Sequence, residues 1–126
     1  MRKENLKKTR IRTLEDPEEK ALEMARAALD KKAEDLVVLD VKEVTTLADY
    51  FIICTGNTSR QVKAIVDEID YKLSAERVYP HHVEGLTESR WVLMDYGDVV
   101  VHVFETEARE FYDLDGLWGD APKVEV

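Results

Sequence analysis

The chain has 126 residues, 44% of them hydrophobic, with one cysteine and a net charge of −9. That length and apolar content suit one domain able to bury its own core, and a single thiol excludes both an internal disulfide and a cysteine-based zinc cage. Residues 1–12 hold six Lys/Arg against Glu4 alone, so the rest of the chain sums to −14, a balance that repels nucleic-acid phosphates and steers the molecule toward cationic surfaces.

Residues 1–15 read as a basic arm of low apolar content, which fits a targeting remnant, a nucleic-acid tether or a solvated tail. Asp16-Pro17 then supplies a helix N-cap and first helical position, and Glu18 and Glu19 sit where the helix dipole favours carboxylates. The spacing of Ala21, Leu22, Ala25, Ala28 and Leu29 predicts a helix to about Lys32. Leu36–Val41 is a β-branched run that reads as a buried strand. Tyr50–Thr55 is nearly all apolar, as in a central strand covered on both faces. Gly56-Asn57 ends it, and Thr58-Ser59-Arg60-Gln61 has the T-x-x-Q pattern of a capping box. Val62, Ile65, Val66, Ile69 and Leu73 predict a helix over Ser59–Ala75. Pro80 stops any continuation, and His81–Glu84 is a short extended piece.

Two apolar runs, Trp91–Met94 and Val99–Phe104, flank Asp95-Tyr96-Gly97-Asp98, whose turn residues predict a β-hairpin. A short helix is expected from Glu105 or Thr106 with Ala108, Phe111 and Tyr112 inward, broken at Gly116. Residues 119–126 then form a tail. The order of elements predicts a single-domain α/β fold, a mixed β-sheet flanked by helices over residues 16–118.

Signals for catalysis are weak. Thr55–Ser59 joins a strand to a helix, where backbone N–H groups favour anions, but its single glycine matches no phosphate-loop pattern. Asp95 and Asp98 straddle a turn and Asp113 and Asp115 follow the last helix, so neither pair suits Mg²⁺ on a strand. His81 and His82 point to opposite sides of an extended segment, and Cys54 lies within an apolar strand. Neither a metal nor a cofactor is expected. The hairpin instead suits gripping a basic protein. Trp91 and Tyr96 offer apolar contact, Asp95 and Asp98 meet Lys or Arg, and His102 adds a hydrogen bond; the alternative for Trp91 is a plain core aromatic.

The same residues resemble the ribosomal silencing factor family, also called Iojap-like. The likeness rests on Asp35–Val41, Ala48–Arg60, Trp91–Phe104, and Arg109–Tyr112 with Leu117-Trp118. The resemblance implies a nucleotidyltransferase-like fold without nucleotide-transfer activity. It further implies binding to protein fourteen of the large ribosomal subunit, which blocks subunit joining and represses translation when nutrients are short. Two other readings are a large-subunit assembly factor and an active nucleotidyltransferase. Absence of a signal peptide or long apolar run predicts a soluble, cytoplasmic protein without membrane contact. The acidic domain should bind little or no nucleic acid directly. Self-association as a two-fold homodimer is an expectation, because apolar strands need their edges covered.

Overall fold

A computed structural model describes residues 14–126, so the basic run over residues 1–12 lies outside the described residues. Helix α1 spans Pro17–Asp30, with the Asp16 carboxylate accepting from the Glu18 N–H. It buries Ala21, Leu22, Met24, Ala25, Ala27 and Ala28, and small side chains let it lie close to the sheet. Leu29, expected on this stripe, is exposed, while Met24 is fully buried. Strands β1 (Glu34–Asp40) and β2 (Tyr50–Gly56) precede helix α2 (Ser59–Ala75). At the start of α2, Gln61 N–H donates to Thr58 Oγ1 at 3.1 Å, and Asn57 N–H donates to Gln61 Oε1 at 2.7 Å. The capping box therefore forms, with its return bond one residue before the cap.

Three strands follow: β3 (His82–Glu84), β4 (Trp91–Asp95) and β5 (Val99–Glu105). The short helices α3 (Thr106–Tyr112) and α4 (Leu114–Leu117) lead to strand β6 (Lys123–Val124). Among the described residues, the six strands make one sheet in the order β3-β4-β5-β2-β1-β6. The β2–β5 pair is parallel, from Tyr50 opposite Val99 to Gly56 opposite Glu105, and the other four pairs are antiparallel. Every residue of β2 is buried, as its apolar composition predicts for a central strand.

Alternation along the strands builds two cores. Helices α1 and α2 pack over Val38, Tyr50, Ile52, Cys54, Val92, Met94, Val101 and Val103. The opposite face carries Leu39, Phe51, Ile53, Val100 and Phe104, covered by Ala108, Trp118 and Ala121 from the chain after β5. That cover is partial: Trp91 and Leu93 stay half-buried.

Three expectations about the C-terminal part are corrected. Phe111 and Tyr112 do not point inward; they are 80% and 51% exposed. Helix α3 is seven residues long and turns only Ala108 onto the sheet. The helical run breaks at Asp113, which adopts φ +48°, whereas Gly116 lies within α4. Residues 119–126 are more than a tail: Ala121 is buried and β6 pairs with Val38 and Leu39.

Candidate functional site

Trp91, Leu93 and Asp95 alternate onto the sheet face away from α1 and α2, opposite Phe104, His102 and Val100 of β5. Next to them on β3, Glu84 pairs with Leu93 and His82 with Asp95, so all share that face. α3 and Trp118 cover the β5 and β2 side, leaving the outer strands the thinnest cover. Trp91 is half-buried here. Its ring stacks on Phe104 with centroids 5.0 Å apart and meets Tyr112 at 4.6 Å.

The Trp91 indole N–H donates to His102 Nδ1 at 3.2 Å. Since Nδ1 accepts, the neutral ring carries its proton on Nε2, and that atom is buried without a partner among the described residues. Burial pushes the His102 pKa down to about 4, so the imidazole is uncharged at neutral pH. Phe51 meets the ring edge-on at 5.3 Å. His102 is thus an interior support for Trp91, at 6% exposure, rather than a contact for a partner as the sequence suggests.

Tyr96 is also displaced from its expected role. Val92, Met94 and Tyr96 alternate onto the α1/α2 face, so the Tyr96 ring enters the main core at 3% exposure. Burial raises its hydroxyl pKa well above the ordinary phenol value. The two hairpin carboxylates are partly occupied by the fold. Asp95 Oδ1 accepts the Gly97 N–H at 2.7 Å, which supports the positive φ of Gly97. Asp98 Oδ1 takes Lys20 Nζ at 2.7 Å, tying the bend to α1. Of the five residues singled out in the sequence, Trp91 combines ring packing with access.

Above Trp91 lies a groove of about 490 Å³ between the β3–β4 connection and α3, lined by Glu88, Arg90, Trp91, Glu107, Phe111 and Tyr112 among others. Gly85 makes its floor possible. It adopts φ +87°, and a Cβ there would stand 2.1 Å from the Trp91 carbonyl oxygen. The groove residues on α3 escape a reading of the sequence that sends both aromatics inward. Helix α3 is too short to cover them: it turns Ala108 onto the sheet, and Phe111 and Tyr112 lie in its last turn.

At the other end of the sheet lies the Gly56 turn, between β2 and α2. The Gln61 and Asn57 N–H groups are taken by the side chains of the capping box. Nearby, Arg109 lines a cavity of about 300 Å³ beside Thr55 of β2. Its guanidinium donates to Thr55 Oγ1 at 2.8 Å, to the Asp35 carbonyl, and to both Asp115 oxygens at 3.0 and 2.7 Å. The Arg109 hydrogen bonds hold the Asp115 carboxyl below the usual carboxylate range. Burial pushes the Cys54 thiol up to about 12, which keeps it protonated and unreactive. Among the described residues no cluster of His, Cys, Asp or Glu is arranged to hold a metal, and no helix is long and apolar enough to cross a membrane.

The family profile described as "Ribosomal silencing factor during starvation" matches residues 14–126. The chain belongs to the ribosomal silencing factor family. Ribosomal silencing factor RsfS of Bacillus subtilis is 47% identical over 106 residues, covering 83% of this chain and 90% of the relative. Protein Iojap of Arabidopsis thaliana chloroplasts is 36% identical over 107 residues, spanning 84% of this chain and 44% of that longer protein. Among solved structures, a Chromobacterium violaceum protein superposes with a TM-score of 0.80 at 37% identity, covering 88% of this chain and 93% of that one. A Bacillus halodurans protein gives 0.77 at 40% identity, over 86% and 99% of the two chains. The match includes the last eight residues, in keeping with the place of β6 in the sheet.

Proposed function

We propose that this member of the ribosomal silencing factor family binds the large ribosomal subunit through its protein fourteen. Bound there, it blocks joining of the small subunit and represses translation, especially in nutrient limitation. The observation that carries the reading is the family match over residues 14–126. The surface supports it, because a helix-poor face with a half-exposed Trp91 and flanking carboxylates suits a basic protein better than a small substrate. The role is steric and needs no cofactor, and the protein acts as a repressor rather than an enzyme. The single glycine at the Gly56 turn, outside any phosphate-loop pattern, favours that view over nucleotide transfer.

Sedimentation with purified large subunits, small subunits and joined ribosomes tests the proposal. The protein should travel with free large subunits and lower the yield of joined ribosomes in proportion to occupancy. Equal binding to large subunits and joined ribosomes would overturn it, since a ligand without preference shifts no equilibrium.

A further inference from the structure

The groove above Trp91 has a chemistry more specific than an acidic, aromatic face. Phe111 is 80% exposed and Tyr112 51%, and they meet edge to face at 5.1 Å. Apolar rings so open to water gain from being covered. Glu88 and Glu107 line the same groove, and neither has an ion-pair partner among the described residues. Arg90 is the only cation among the described lining residues, and Glu105 stands 3.6 Å from it. Open aromatic walls beside two free carboxylates complement a flat cation.

We propose that this groove receives an arginine side chain from a basic segment of a partner protein. Its guanidinium lies against the Tyr112 and Phe111 rings, while its N–H groups reach toward Glu88 and Glu107. Arginine fits better than lysine because its planar head stacks on an aromatic face and donates along two directions at once. A nucleic acid is disfavoured, since its phosphates would face the same two carboxylates. The inference rests on reading this side of the sheet as protein-binding, and it names the side-chain chemistry recognised there.

The test uses the full chain and a labelled peptide with three arginines spaced by glycine, beside the same peptide carrying citrulline. Citrulline keeps the shape and loses the charge. Fluorescence anisotropy should show the arginine peptide binding at least about tenfold more tightly. Phe111→Ala, and separately the pair Glu88→Gln with Glu107→Gln, should each weaken it by about fivefold or more. All three positions are exposed, so unfolding curves of these variants should match the parent. Glu43→Gln, half that charge change placed on the β1–β2 connection, should leave affinity within about twofold. Equal binding of the citrulline peptide, or unaltered affinity in the stable groove variants, would overturn the inference. Large-subunit sedimentation is independent of the peptide measurement. A protein that binds subunits but not the arginine peptide loses the groove alone, and the reverse result loses the ribosomal reading alone.

Discussion

Trp91 and His102 act as one unit, and their variants should show it. Trp91→Ala removes the stack on Phe104 and Tyr112 and leaves His102 Nδ1 without its donor. It should cost about 3 kcal/mol of stability in urea unfolding, alongside any loss of binding. Trp91→Phe keeps one aromatic ring but loses the indole N–H and part of the stacked surface, so about 1–2 kcal/mol is expected. The pH dependence of His102 has a definite sign. Its native pKa of about 4 lies below the unfolded value of 6.5, so between them the unfolded chain binds the proton and the native chain does not. Stability should therefore fall as pH drops through that window, by about 3 kcal/mol in all, and this contribution should level off below it. Urea titrations near pH 7 and near pH 4.5 check this. A His102→Phe protein should lose less stability than the parent between the same two points. Asp98 illustrates a different lesson: its carboxylate holds Lys20, so Asp98→Asn should cost about 1 kcal/mol of stability.

Elements with a strong period were legible in the sequence, and those fixed by distant partners were not. Ser59–Ala75 announces itself through five core residues at helical spacing and a capping box, and the helix has those bounds. The hairpin follows from its turn residues, with Gly97 at φ +88° where the bend needs it. The faces of the hairpin were harder to read. Tyr96 continues the alternation of Val92 and Met94 into the main core, but its neighbours in the turn make it look like surface. The strand β6 has two residues and no pattern of its own; it exists because β1 offers Val38 and Leu39 to pair with. Likewise no local signal reveals that Arg109 joins α3 to β1, β2 and α4. Arg109 is the element-scale lock, at 14% side-chain exposure. Arg109→Ala should lower stability by about 2–3 kcal/mol, because it leaves Asp115 and Thr55 without their donor. Arg109→Lys should recover little of this, since an ammonium cannot donate to three groups along the directions of a guanidinium fork. Denaturant unfolding of both variants is the measurement.

At the scale of the whole molecule, residues 13–126 carry a charge of −14, while the helix-poor face supplies shape. In the proposed complex these would act at different stages: long-range attraction governs encounter, and the packed centre governs departure. Raising salt should slow association with large subunits while leaving dissociation nearly constant, and stopped-flow mixing at several ionic strengths separates the two. The one parallel pair in the sheet also dictates how the chain reaches its fold. The β4–β5 hairpin closes locally across Tyr96–Asp98, but β2 must find β5 across residues 57–98. Closing that long loop carries its entropic cost before any β2–β5 contact repays it, which makes the step a natural bottleneck. Ile52→Val, on β2 opposite Val101, should therefore slow refolding by much of its equilibrium effect. Val124→Ala, on the two-residue edge strand, should leave refolding unchanged and quicken unfolding instead. Chevron plots of the two variants should thus diverge on opposite arms, with the parallel pair marking the transition state and the edge strand arriving after it.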